Sequence, residues 1–140
     1  MQQLDKDNLK PQKKKTILLV CDDVSIVRLY CKVFSKHSDF NVKHTEDVEE
    51  ILRIVQAREA DLVLIDLYYV DKGKELGGSD IMKMLRVYHL TTNIPVILMK
   101  DRSMRGDFYI SLEKISTITF ISKPIYDMRA FVERIRAELN

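Results

Sequence analysis

The sequence predicts a three-layer α/β fold, in which helices cover both faces of a parallel sheet. Short apolar runs rich in leucine and β-branched residues alternate with longer segments whose apolar residues recur at helical spacing. Five strands and five helices follow one another in this way, and right-handed crossovers between parallel strands leave few possible topologies. The predicted strands are 16–20, 40–43, 61–67, 96–99 and 118–121.

The third of these strands is the most informative. Its apolar run, bracketed by Asp61 and Asp66, is too short for a helix and unbroken, as is typical of a strand buried on both faces. Asp66 stands where the strand leaves the sheet. Ligands of open α/β sheets bind at this carboxyl edge, so Asp66 is the first candidate site residue.

Each predicted helix has a start signal and an apolar stripe. Ser25 is expected to cap the first helix and Thr45 the second, whose first turn contains the acidic residues Glu46 and Asp47. The remaining helices begin near Ser79, near Ser103 and after Pro124. The stripe of the first helix consists of Ile26, Tyr30, Val33 and Phe34.

The composition is that of one globular domain. The chain has 140 residues, of which 46% are apolar and 31% charged. This is enough to bury a core without the help of disulfide bonds or structural metals. No apolar run approaches the roughly 20 residues of a membrane span, and the polar N-terminus is unlike a signal peptide. Cys21 and Cys31 lack metal-ligand spacing, so we interpret them as reduced, buried thiols of a cytoplasmic protein.

The net charge of +2 arises mainly from the N-terminus. Residues 1–15 contain five lysines and two aspartates, and we predict a mobile basic leader before a domain at 16–140. The rest of the chain is close to neutral. A basic stripe interleaved with aromatic residues is not seen, so nucleic-acid binding by this domain is not expected.

Charged residues follow three of the predicted strands: Asp22 and Asp23 the first, Asp66 the third and Lys123 the fifth. Three carboxylates brought together repel one another unless a cation is present. A magnesium ion bound by carboxylates and water would relieve this repulsion, and a lysine would add a donor for an anionic oxygen. Together these groups suit phosphoryl transfer onto an aspartate.

At these positions the chain resembles the receiver domain of two-component response regulators, over about residues 15–140. The resemblance rests on the acidic pair, the aspartate that ends strand three, the sequence Ile-Pro-Val-Ile at strand four and Lys123-Pro124. It implies a flavodoxin-like (βα)5 fold with sheet order 2-1-3-4-5. We therefore expect strands one and three to be neighbours.

The resemblance also implies roles for individual residues. Asp66 corresponds to the phosphoacceptor, and Lys123 to the lysine that contacts the phosphoryl group, before a proline whose preceding bond is commonly cis. Phe120 stands at the switch aromatic, although a half-buried core position is its simpler interpretation. The implied magnesium ligands are Asp22, Asp23 as the more direct of the pair, Asp66 and the main-chain carbonyl of Tyr68.

Several positions depart from the family pattern. Lys100 replaces the Thr or Ser that ends strand four, and Asp101 the small residue that follows it. Val70 stands where a proline is usual, the next loop is about three or four residues longer than in the family, and Ser116-Thr117 replaces Gly-Ala. These departures bear on how the domain switches.

Lys100 is the most consequential departure. Its ammonium group could pair with Asp66 before phosphorylation and compete with magnesium, and an equal metal affinity of the Lys100→Thr variant would refute this hypothesis. The alternative is that Lys100 points to solvent and the domain switches poorly.

Two functions fit these features. The first is a phosphoacceptor receiver domain, not an enzyme in the usual sense, which a histidine kinase or phosphotransfer protein phosphorylates on Asp66 with Mg²⁺. It would signal through its fourth helix, fifth strand and fifth helix, and the resemblance allows a homodimer. The chain's end soon after the fifth helix indicates a single-domain, chemotaxis-type receiver or a piece of a longer protein. The alternative is a degenerate receiver, a protein-interaction module that no longer depends on phosphate.

Overall fold

The computed structural model describes residues 14–66, 94–100 and 118–140. Their five strands form one sheet with the order β2-β1-β3-β4-β5, and every neighbouring pair is parallel. This confirms the predicted α/β class and the sheet order 2-1-3-4-5. The strands are β1 (Lys15–Cys21), β2 (Phe40–Thr45), β3 (Leu62–Asp66), β4 (Val96–Lys100) and β5 (Ile118–Ser122). The helices are α1 (Val24–Ser35), α2 (Val48–Gln56) and α3 (Met128–Leu139), the last being the fifth helix of the sequence prediction.

The ends of the elements differ slightly from prediction. Lys15 already lies in β1, one residue before the predicted start of this strand, and residues 1–13 of the predicted leader lie outside the described ones. Lys100 and Ser122 extend β4 and β5 by one residue each. The helices predicted from Ser79 and from Ser103 fall outside the described residues. None of the helices in the described ranges is long and apolar enough to cross a membrane.

Alternation along the strands divides the core between the two faces of the sheet. In β1, Leu18 and Val20 point to the face that α2 covers, whereas Ile17, Leu19 and Cys21 point to the face that α1 and α3 cover. In β3, Val63 and Ile65 belong to the α2 face and Leu62 and Leu64 to the other. These strand residues are fully buried.

Both predicted helix caps were wrong by two residues. Asp23, not Ser25, caps α1: its Oδ1 accepts hydrogen bonds from the backbone N–H groups of Ser25 and Ile26. Asp47, not Thr45, caps α2 and accepts from the N–H of Glu49. Aspartate and serine are comparably good caps, so residue type alone does not identify the cap. Asp23 and Asp47 are the residues that have extended backbone angles just before the first turn.

An aspartate at the opposite end of β3 fixes how β1 and β3 meet. The backbone N–H of Thr16 donates to Asp61 Oδ2 at 2.7 Å, and the N–H of Asp61 donates to the Thr16 carbonyl at 2.8 Å. The reciprocal pair holds the register in which Cys21 lies opposite Asp66. Asp61 therefore has a structural role, while Asp66 lies at the other edge.

Candidate functional site

The carboxyl edge of the sheet brings Asp66 beside the end of β1. Cys21 and Asp66 are partners in the β1–β3 register, so Asp22 and Asp23 continue the chain next to Asp66. Lys123 follows β5, two strands away from β3. The side chains of Asp66 and Lys123, which the sequence predicts to converge, are in direct contact.

Asp66 is a buried carboxylate with two hydrogen-bond donors. It is 1% exposed. Lys123 Nζ lies 2.5 Å from its Oδ1, and the Tyr30 hydroxyl donates to its Oδ2 at 2.6 Å. A buried charge is costly unless it is paired and hydrogen-bonded, and these two contacts meet that requirement. The carboxylate is therefore held in one orientation by a cation on one oxygen and a phenol on the other.

The alternation of β3 explains why Asp66 meets Tyr30. Asp66 continues the series Leu62, Leu64, whose side chains lie on the α1 and α3 face. Tyr30 lies on the inward face of α1 in the same core cluster. The helix therefore presents its phenol to the strand residue that carries the carboxylate.

Tyr30 is the site residue that the sequence analysis missed. Its pattern places it in the apolar stripe of the first helix, and it is indeed buried, with its ring centroid 6.3 Å from that of Phe34 and 5.9 Å from that of Phe131. A buried tyrosine usually finds a partner for its hydroxyl. This need for a partner could have pointed to the contact with Asp66, because Asp66 is the carboxylate of the strand that faces the helix.

The acidic pair creates a strongly negative environment around Cys21. Burial and the negative charges of Asp66, Asp22 and Asp23 raise the pKa of the Cys21 thiol to about 12, although its hydrogen bond to the Asp23 carbonyl at 3.6 Å acts in the opposite direction. Cys21 is thus buried as predicted, while Cys31 is half-buried, and both are free thiols. The thiol therefore lies within reach of the negative charge at this edge of the sheet.

The chemistry of the carboxylates fits a magnesium ion, which prefers hard oxygen ligands and usually keeps several waters. Asp22, Asp23 and Asp66 would hold it. Within the described ranges no three Asp, Glu, His or Cys side chains are gathered as a ready metal site. Asp23 Oδ1 caps α1, and the two oxygens of Asp66 accept from Lys123 and Tyr30. Tyr68, whose carbonyl was predicted as a ligand, lies outside the described residues.

The other predicted site residues lie on β4 and β5. Lys100 ends β4 opposite Ser122 of β5, and its side chain is outside the described part of the structure. Phe120 is half-buried and packs against the core cluster on the α2 face, which agrees with the simpler interpretation of this aromatic. The Lys123-Pro124 bond is cis, as the resemblance implies.

A family model decides the classification of the chain. The model of the response regulator receiver domain matches residues 17–136. The chain belongs to this family. Receiver domains are signalling domains of two-component systems.

Curated relatives agree with the family. The regulatory protein VirG of Agrobacterium tumefaciens is 31% identical over 133 residues, which cover 94% of this chain and 46% of VirG. A histidine kinase of Formosa agariphila is 26% identical over 136 residues, or 95% of this chain and 9% of the kinase. The chain thus spans about half the length of VirG and less of the kinase.

Solved structures of receiver domains share the fold. A CheY-like receiver from Methanospirillum hungatei superposes with a TM-score of 0.69 at 20% identity, covering 91% of this chain and 94% of that one. The receiver domain of a sensor histidine kinase from Pseudomonas aeruginosa, which has magnesium coordinated in its active-site cleft, gives a TM-score of 0.68 at 17% identity, with 90% and 98% covered. Both likenesses support the sheet order described above.

Proposed function

We propose that the chain accepts a phosphoryl group on Asp66 and acts as a phosphorylation-controlled signalling domain. The observation that carries the proposal is the contact between Lys123 Nζ and Asp66 Oδ1, 2.5 Å apart at the carboxyl edge of the sheet and beside Asp22 and Asp23. A nucleophilic carboxylate, a cation for the phosphoryl oxygens and a pair of metal-binding acids are the parts that phosphoryl transfer needs.

Each residue has a role that its position supports. Asp66 attacks the phosphorus of the donor, and Lys123, already beside the carboxylate, donates to an oxygen of the incoming phosphoryl group. Asp22, Asp23 and Asp66 would hold Mg²⁺, with the carbonyl of Tyr68 as a further ligand expected from the family, and the ion would supply positive charge for the phosphoryl oxygens. The magnesium in the cleft of the Pseudomonas aeruginosa receiver supports this assignment.

The partners follow from the family. A histidine kinase or a phosphotransfer protein would donate the phosphoryl group, and the fourth helix, β5 and α3 would present the signal to a protein target, with a homodimer as one such contact. The kinase relative from Formosa agariphila supports the first partner. Location in the cytoplasm and a single-domain, chemotaxis-type organisation stay predictions, and the chain covers only 46% of VirG.

The test is phosphorylation by acetyl phosphate and Mg²⁺, read as the mass of one added phosphoryl group. Asp66→Asn should abolish the addition. Asp61→Asn is the matched control, because Asp61 lies at the other end of β3 and an amide oxygen can still accept from the Thr16 N–H. Labelling that persists in Asp66→Asn would refute Asp66 as the acceptor.

Beryllofluoride separates this function from the degenerate receiver, which the comparisons do not favour. With Mg²⁺ it mimics the acyl phosphate in a competent pocket, and backbone amide shifts at Asp66 and Phe120 that spread to α3 would indicate a working switch. A pocket that binds neither Mg²⁺ nor beryllofluoride would indicate a domain whose function is protein binding. In that case Lys100 would have no metal site for which to compete.

A further inference from the structure

The hydrogen bond between Tyr30 and Asp66 has a consequence for the stability of the phosphorylated state. We propose that Tyr30 is a positioning residue that stabilises the free carboxylate of Asp66 and so shortens the lifetime of the acyl phosphate. The inference rests on the proposed function of Asp66. Its basis is the bond of 2.6 Å from the Tyr30 hydroxyl to Asp66 Oδ2, inside the core.

The charge of Asp66 changes when it is phosphorylated. One carboxylate oxygen attacks the phosphorus of acetyl phosphate and forms the new O–P bond, while the old P–O bond breaks and acetate leaves with the electron pair. The other oxygen of Asp66 becomes a neutral carbonyl oxygen. In hydrolysis water attacks the phosphorus, the pair of the O–P bond returns to Asp66, and a water proton passes to phosphate or solvent. Tyr30 keeps its proton throughout.

A phenol donates a stronger hydrogen bond to an anion than to a neutral carbonyl. Bonds to ionised acceptors are roughly twice as strong as neutral ones, which corresponds to about a three- to tenfold change in equilibrium. If Oδ1 is phosphorylated, Tyr30 retains the weaker bond to the carbonyl. If Oδ2 is phosphorylated, the bond to the anionic oxygen is lost. In both cases Tyr30 favours the free carboxylate, so the direction of the effect does not depend on which oxygen reacts.

The phenol is held where it acts. Tyr30 is 1% exposed, and its ring is in contact with Phe34 and Phe131. Well-packed interiors leave buried rings little freedom, so the ring of Tyr30 holds the hydroxyl close to Asp66. The phenol therefore stays beside Asp66, where its bond is weakened or lost according to which oxygen is phosphorylated.

The experiment compares Tyr30→Phe with wild type and with Tyr126→Phe, a tyrosine that is 92% exposed. Acetyl phosphate and Mg²⁺ supply the phosphoryl group, and hydrolysis is followed after their removal. In Tyr30→Phe we expect faster phosphorylation and slower hydrolysis, with the ratio of the two rate constants roughly three- to tenfold higher. Tyr126→Phe should match wild type. A general disturbance of the site would slow phosphorylation, which is the opposite result.

A ratio unchanged within twofold, or lowered, would overturn the inference while labelling of wild type still upheld the proposed function. Wild type that takes no label would overturn both. A second measurement covers a variant that folds poorly: 3-fluorotyrosine in place of all tyrosines makes each phenol a stronger donor without deleting it. Fluorinated wild type should lose its phosphoryl group faster than unlabelled wild type, and an unchanged or slower loss would contradict the proposal.

Discussion

Lys123 contacts Asp66 across the width of one strand. Lys123 follows β5 and Asp66 ends β3, with β4 between them, yet Nζ and Oδ1 lie 2.5 Å apart. The lysine side chain is 11% exposed and the aspartate 1%, so the pair is largely withdrawn from water. Lys123 therefore places a positive charge directly against this buried carboxylate.

Removal of that cation should destabilise the folded state. Breaking a buried ion pair from one side costs about 3–5 kcal/mol, and the exposed fraction of Lys123 reduces this here to about 2–3 kcal/mol at pH 7. We expect that loss in the free energy of unfolding of Lys123→Met, measured with urea. The double variant Asp66→Asn/Lys123→Met should recover most of it, since no unpaired charge remains. A double variant as unstable as the single one would show that the lysine acts through packing alone.

A second ion pair joins the last helix to the start of β2. Arg136 contacts both oxygens of Asp39, through Nε at 2.8 Å and Nη2 at 3.2 Å, and its guanidinium carbon lies 5.2 Å from the centroid of the Phe40 ring. The hydrogen bond from Arg136 lowers the pKa of Asp39, against a smaller opposing effect of burial. Folding therefore favours the ionised form of this carboxyl.

The sign of the pH dependence follows from the lowered pKa. The pair stabilises the fold above the ordinary pKa of an aspartate, about 4, and the contribution disappears as the pH falls through the lowered value of the folded state. Both side chains are partly exposed, so Arg136→Met should cost only about 0.5–1 kcal/mol at pH 7. The stability difference between Arg136→Met and wild type should become smaller in acid, which thermal unfolding measured from pH 7 to pH 2 would show. Arg136→Lys keeps the charge but not the two-point contact, so it should lose part of the stabilisation that Arg136 provides. A stability difference between wild type and Arg136→Met that does not change with pH would exclude the ion pair as its cause.

Much of the fold could be predicted from the sequence because its signals are local. Apolar runs mark the strands, and the edge at which Asp66 and Lys123 emerge follows from their order. The cap of α1 was less predictable, because Asp23 can serve both a helix and a metal and only the backbone angles show that it caps. Tyr30 was harder still. Its helical spacing places it in the core, but only the packing of α1 against β3 shows that its hydroxyl reaches Asp66.

The thiol beside the acidic pair should be unreactive in the folded protein. Cys21 is fully buried, and because its pKa is raised to about 12 it stays almost entirely in the thiol form at pH 8. We expect iodoacetamide to spare Cys21 in native protein and to modify it after unfolding in urea. Peptide mass mapping distinguishes it from Cys31, which is only half-buried. Modification of native Cys21 at the rate of an ordinary cysteine would show that this edge of the sheet opens readily.

Arg58 follows α2 with a left-handed backbone, and its replacement should stabilise the protein. Its φ is 57°, and the N–H groups of Arg58 and Glu59 donate to the carbonyls of Val55 and Ile54, an arrangement that favours glycine at position 58. A side chain with a Cβ destabilises this left-handed conformation by about 1 kcal/mol. Glycine removes that cost, but part of the gain is lost because glycine has more conformational freedom in the unfolded state. Arg58→Gly should therefore raise the free energy of unfolding by about 0.5 kcal/mol. Arg58→Ala, which keeps the Cβ, is the control: a gain equal to that of glycine would mean that the arginine charge, and not the backbone, is the source of the strain.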